Sequence, residues 1–254
     1  MITVRDIYDF IDDFAPFHTQ CEFDNSGLQI GNMKNGVTGV TVCLDVTQAA
    51  IRYAAKNECE LIISHHPLLF HPLRQIDSKS LPHTLCRLGI SLISAHTNLD
   101  AAQGGLNDLF CDMMGLTEVR TVCDGAQTPL LRVGSTEPIS AAALAAQVKD
   151  VLDLSAIRFT DTPQEIETVA VCTGAGGDFW ELAASNGAQA LITGEARHHE
   201  VLAAKEAGFC LIEAGHYATE NIVASKFSEM LSARFRDLRV FAYFGQDPVT
   251  YITE

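Results

Sequence analysis

Residues 39–70 read GVTVCLDVTQAAIRYAAKNECELIISHHPLLF, and residues 168–199 read TVAVCTGAGGDFWELAASNGAQALITGEARHH. Each begins with a short β-branched run, passes through a stretch of helical period and ends in a second apolar run. Short strands alternating with helices argue for an α/β fold with a largely parallel or mixed sheet. The two stretches superpose without a gap. Cys43 falls on Cys172, Ile63 on Ile192 and Ser64 on Thr193, an offset of 129 residues. Self-similarity of this kind points to an internal duplication.

A second correspondence follows each unit. LGISLISAHTNLD and AGFCLIEAGHYATE are both strand-like runs ending in histidine, three residues and a carboxylate, so His96 and Asp100 match His216 and Glu220 at an offset of 120. We therefore expect two related three-layer α/β/α lobes with a site in the cleft between them. Residues 116–140 are rich in turn formers and poor in helical period, which places the boundary there. The first lobe is expected over 1–120, with part of the C-terminal segment packing back on it, and the second over 121–254. MITVRDIYDFIDDFAPF reads as a first helix. The last helix is expected to begin near HYATEN and to run through IVASKFSEMLSARF, its apolar stripe facing the core.

The composition narrows the functional classes. Of 254 residues, 47% are hydrophobic and 19% charged, which supplies a full core. Thirty-two acids against 17 bases give a net charge of −15, a balance that repels phosphate backbones and anionic lipid, so no nucleic-acid partner and no membrane is expected. No apolar run approaches the ~20 residues of a membrane span, and the N-terminal stretch lacks the basic and apolar regions of an export signal. The expected location is the cytoplasm. Eight scattered cysteines without a CxxC pair suit reduced, mostly buried thiols.

The polar residues cluster after the strand-like runs. His65 and His66 stand side by side before Pro67, which restricts His66 to extended geometry. On a continuing strand the two rings would splay to opposite sides, an arrangement suited to two ions rather than to chelation of one. Such ions need carboxylates, whose oxygens can bridge. Glu220, one helical turn from His216, is the natural bridge, and Asp100 is its counterpart in the other half. TGAGGD at 173–178 lacks a dinucleotide fingerprint and a P-loop lysine, and reads as a tight strand-to-helix turn. TGEARHHE offers Glu195, His198 and His199 near the same cleft. Asp45 reads as a helix cap, while His18, His71 and His83 suggest no geometry.

Taken in order, FDNSGLQIG, LDVT, SHHPLLF, AHTNLD, GAGG, TGE followed by histidines, and GHYATE resemble the Nif-three-like dinuclear-metal proteins, known also as GTP cyclohydrolase I type 2 homologues. The likeness spans about Asp24 to Tyr251. It implies two related α/β lobes, a cytoplasmic homohexameric ring and two divalent metal ions per subunit, with zinc, iron, manganese and cobalt equally suited to His, Asp and Glu ligands. It implies His66, Asp100 and Glu220 around one ion and His65, His216 and Glu220 around the other. His96, Glu195 and His199 match positions near the metals and are acid/base candidates.

The resemblance implies a metal-dependent hydrolase that opens the imidazole ring of GTP with release of formate, acting on a small-molecule nucleotide. Two alternatives carry the same ligands: a metal-dependent regulatory or ligand-binding hexamer without turnover, and a dinuclear phosphoesterase.

Overall fold

The structure is a computed structural model that describes residues 1–123, 125, 128–250 and 252. Along the chain, α1 (Val4–Phe14), β1 (Gly27–Ile30), β2 (Gly39–Cys43), α2 (Gln48–Lys56), β3 (Leu61–Ser64), α3 (Leu81–Leu88), β4 (Ser91–Ser94) and α4 (Thr97–Ala101) come first. They are followed by α5 (Leu106–Met113), β5 (Thr117–Val122), β6 (Leu131–Ile139), α6 (Ala141–Val151), β7 (Arg158–Phe159), β8 (Ile166–Cys172), α7 (Trp180–Ser185) and β9 (Ala190–Thr193). The last elements are α8 (His198–Glu206), β10 (Cys210–Glu213), α9 (His216–Glu220), α10 (Val223–Arg234) and β11 (Arg239–Tyr243).

Two compact units result, one of residues 1–102 with 221–246 and one of residues 103–220 with 247–254. The sequence suggests 1–120, with part of the C-terminal segment packing back on it, and 121–254. Two features account for the difference. Residues 116–140, read as a boundary, contain β5 and β6, an antiparallel pair within the second sheet, although residues 124, 126 and 127 lie outside the described residues. The expected last helix is two helices, α9 in the second unit and α10 in the first, separated at Asn221 and Ile222.

In the first unit the sheet order is β1-β4-β3-β2-β11, with β4, β3, β2 and β11 parallel and β1 antiparallel at the edge. In the second it is β5-β6-β8-β9-β10-β7, with a parallel centre of β8, β9 and β10. The central strands are buried throughout, as expected for parallel strands covered on both faces. Thr3 and Asp6 form a capping box that starts α1, and its i, i+3, i+7 residues Val4, Ile7 and Ile11 are buried. Thr47, rather than Asp45, caps α2 through the Ala50 amide at 3.1 Å.

The duplication is visible in the registers. Cys43 pairs with Ser64 across β2 and β3, and Cys172 pairs with Thr193 across β8 and β9. Cys43, Ile62 and Leu92 lie in one core; Cys172, Leu191 and Leu211 hold the equivalent places in the other. Ser94 and Glu213 are equivalent by pairing, one residue short of the offset that aligns His96 with His216. Gly215 is the extra residue, and its φ of +88° favours a residue without a Cβ.

Burial raises the thiols of Cys111 and Cys210 to about 12, which suits packing rather than nucleophilic use. Among the described residues, no helix is long and apolar enough to cross a membrane.

Glu60 gives a test away from the polar clusters. Its carboxylate accepts the Thr38 and Gly39 amides at 2.9 and 3.0 Å and the Thr38 hydroxyl at 3.0 Å, fixing the approach to β2. Burial opposes ionisation, but these bonds outweigh it and hold the carboxyl below its usual value. A depressed carboxyl stabilises the fold above its unfolded value of about 4.3 and loses that contribution as pH falls through the lower folded value. Glu60→Gln is expected to flatten the acid limb of the stability curve while changing its neutral shape little, which denaturant melts from pH 2 to 7 would measure.

Candidate metal centre

In open α/β sheets ligands gather beyond the carboxyl ends of the parallel strands. The chain places its polar residues there in both units: Asp45 after β2, His65 and His66 after β3, His96 after β4, Gly174 after β8, Glu195 after β9 and His216 after β10.

In the first unit three imidazoles converge. The ring centroids of His65 and His66 are 5.2 Å apart, those of His65 and His96 5.1 Å, and those of His66 and His96 5.5 Å. Each residue offers a ring nitrogen, and the three nitrogens lie within 4.8 Å of one another. The expected splaying of His65 and His66 is therefore corrected. β3 ends at Ser64, and the next two amides both donate to the end of β2 and the residue after it, His65 to Cys43 O and His66 to Leu44 O. Consecutive amides facing the same neighbour break strand alternation, so the rings need not point apart.

The second nitrogen of each ring is held. His65 Nδ1 stands 2.8 Å from Ala95 O; since a carbonyl only accepts, this nitrogen carries the proton. His66 Nδ1 is 2.8 Å from Asp45 Oδ1, and His96 Nδ1 is 2.9 Å from Asp24 Oδ1. An oxygen acceptor on Nδ1 fixes the tautomer and turns Nε2 toward a ligand, the usual support of metal-binding histidines. Asp24 is itself tightly bound. Burial favours its neutral form, but bonds from His96, Thr97 and the Asn25 amide overcome this and hold the carboxyl well below the usual range. The Ser26 hydroxyl also receives the His96 amide at 3.1 Å.

Asp100 is buried on α4, and its Oδ1 lies 3.4 Å from His65 Nε2. With Nδ1 already protonated toward Ala95, a lone pair on Nε2 would face a carboxylate oxygen. That arrangement is favourable only when a proton or a cation is shared by the two. The resemblance groups Asp100 with His66, and the structure sets its carboxylate against His65 as well.

In the second unit His216 is bracketed by carboxylates, Nδ1 at 3.2 Å from Glu195 Oε1 and Nε2 at 2.9 Å from Glu220 Oε2. Glu220 is buried, and the turn after β8 makes room for it. Gly174 has φ +64°, and a Cβ there would lie 2.1 Å from Glu220 Oε1. The GAGG stretch is thus the tight turn expected, with a further use in seating Glu220. Gly174→Ala is expected to displace Glu220 and to lower divalent-metal affinity at unchanged helix content, as read by metal titration and circular dichroism.

His199 is placed differently from Glu195. Its side chain is 74% exposed on α8, with Nε2 3.9 Å from Glu200. The structure thus joins His65, His66, His96 and Asp100 in one group and His216, Glu195 and Glu220 in another, and leaves His199 at the surface of its helix. These nitrogen and oxygen donors fit a divalent ion of the zinc, iron, manganese or cobalt kind.

A family profile for Duf34/NIF3 (NGG1p interacting factor 3) matches residues 2–248. The chain belongs to this family. Among NIF3 relatives, a Lactococcus lactis protein named GTP cyclohydrolase 1 type 2 homolog is 32% identical over 244 residues, covering 92% of each chain. A Helicobacter pylori protein named GTP cyclohydrolase 1 type 2 is 30% identical over 240 residues, 91% of this chain and 92% of its own. The crystal structure of a Staphylococcus aureus hypothetical protein superposes with a TM-score of 0.90 at 26% identity, covering 98% of this chain and 99% of the other. The NIF3 fold of two mixed sheets with flanking helices is thereby shared.

Sequence reasoning missed two supporting carboxylates, Asp24 and Asp45. Both sit in stretches that carried the family likeness, FDNSG and LDVT, and each lies far along the chain from the histidine it holds. Their signal was an acid in a loop following or preceding a strand, which a capping role explains equally well.

Proposed function

We propose that His65, His66, Asp100, His216 and Glu220 bind two divalent ions in a metal-dependent hydrolase of the GTP cyclohydrolase 1 type 2 kind. The observation that carries this reading is the common support of the three ligand histidines: Nδ1 of His65, His66 and His216 each stands against an oxygen acceptor, the support usual for metal-binding imidazoles. The names of the relatives supply the nucleotide substrate.

The ions would supply Lewis acidity and a water acidic enough to ionise near neutral pH. The chain's own contribution is orientation and proton transfer. Asp24 fixes the His96 ring so that Nε2 can take a proton from the attacking water and give one to the leaving ring nitrogen, and Glu195 can receive a proton through His216 Nδ1. His199, on an exposed helix face, is retained as a proton carrier from solvent. The assembly is proposed to be a homohexamer, which light scattering of the purified protein would test by its mass.

Metal-loaded protein is expected to release formate from GTP, and metal-stripped protein is not. Absence of formate above the stripped control would remove the hydrolase reading. A binding or regulatory role has one observation in its favour: beside His216 the charge of Arg158 is outnumbered by the carboxylates of Glu195, Glu213 and Asp247, a balance that does not attract a triphosphate. Metal binding and nucleotide binding without formate would establish that role. Phosphate release from simple esters would instead support a phosphoesterase.

A further inference from the structure

Beside His216 in the second unit lies a cavity of about 370 Å³, lined by Arg158, Glu195, Glu213, Tyr217 and Asp247 among others. This volume is in the range of small-molecule sites. Its charges argue against a phosphate pocket, since three carboxylates face one guanidinium. They suit a planar group that presents both hydrogen-bond donors and acceptors.

The cation and one of the acids are fixed in place. Arg158 on β7 is opposite Glu213 on β10, and its Nη2 contacts both carboxylate oxygens at 2.6 Å. Glu213 also takes the Ala196 amide at 3.2 Å. This engagement uses one nitrogen of the guanidinium and leaves its remaining N–H groups available, although the side chain is 75% exposed. Asp247 is held in a turn, with Oδ1 accepting the Val249 amide at 2.8 Å. A carboxylate retains further acceptor capacity after one such bond. Tyr217 adds an aromatic ring, a surface on which a base can stack.

We infer that this cavity binds the guanine base, with Arg158 donating to O6 or N7, Asp247 accepting from N1–H and the 2-amino group, and Tyr217 stacking on the ring. The inference rests on the hydrolase reading for the choice of a guanine nucleotide; the donors and acceptors are what assign the base to this cavity. Arginine paired with guanine O6 and N7 is a favourable geometric match. Adenine reverses both edges. Its 6-amino group would face Arg158, donor against donor, and its N1 would face Asp247, acceptor against acceptor. Such mismatches reject a ligand more strongly than lost contacts alone.

The test uses nucleosides, because the absence of phosphate removes attraction to the metals. Calorimetric titration of the full-length metal-loaded protein is expected to show guanosine bound at least tenfold more tightly than adenosine. Asp247→Asn and Arg158→Ala are each expected to weaken guanosine by about tenfold or more, the loss of a charge-assisted hydrogen bond, with metal content unchanged. Equal binding of the two nucleosides, no detectable guanosine binding, or guanosine binding indifferent to both substitutions would overturn the assignment. Formate release from GTP without guanosine preference would overturn the pocket and leave the hydrolase reading intact. Guanosine preference without formate release would support the pocket and remove that reading.

Discussion

Replacing His65 by alanine is expected to abolish stoichiometric metal binding, measured by elemental analysis after dialysis against buffer with trace divalent metal. His65 is 2% exposed, its Nδ1 is committed to Ala95 O, and its Nε2 faces Asp100 at 3.4 Å. No other orientation of the ring serves both neighbours. Because truncation of a buried ring also leaves a cavity, Glu220→Gln supplies a second variant that preserves volume, and it too is expected to lose metal. Asp45→Ala provides a graded comparison. It removes only the partner of His66 Nδ1, and loss of such support costs about 10–100-fold in affinity rather than the site itself. Full metal occupancy in both His65→Ala and Glu220→Gln would refute the proposed ligands.

The largest stability effect is expected at Asp108 on α5. Its carboxylate forms a close ion pair with Arg132 Nε on β6, and Oδ2 accepts the Gly104 amide at 2.6 Å. Arg132 is 1% exposed and among the largest buried side chains, with Nη1 also donating to Pro129 O at 2.8 Å. Removing one member of a buried pair leaves its charge poorly compensated and costs about 3–5 kcal/mol. Asp108→Ala is therefore expected to shift the urea midpoint strongly downward. The double substitution Asp108→Ala with Arg132→Met is expected to recover most of the loss, since an apolar side chain of similar reach needs no counter-charge. A double variant no more stable than the single one would show that the pair itself is not the source of the effect.

Neither residue of that pair attracted notice in the sequence. Arg132 sits in LLRVGS, a strand-like run in which an arginine ordinarily marks a solvent-facing position, and Asp108 lies 24 residues earlier. Only the packing of α5 against β6 and β8 makes them neighbours. The supports of the histidines were hidden for the same reason. Asp24 reaches His96 across 72 residues and Asp45 reaches His66 across 21, distances at which local period carries no information.

Much of the architecture was legible because it depends on local chemistry. β-Branched runs and helical periods are properties of adjacent residues, and the repeat of 39–70 in 168–199 records two strand–helix–strand units with matching core positions, Cys43 with Cys172 and Ile62 with Leu191. The residue types suited to a divalent ion were also legible, since nitrogen and carboxylate donors recur after equivalent strands. What the tertiary structure decided was direction and partnership. It turned His65 and His66 toward a common centre by ending β3 at Ser64, set Asp100 against His65, split the last helix into α9 and α10, and set Gly174 where only a residue without a Cβ leaves space for Glu220. Side-chain direction and long-range pairing depend on how strands are registered and how loops leave them, and those are settled by packing across the sheet.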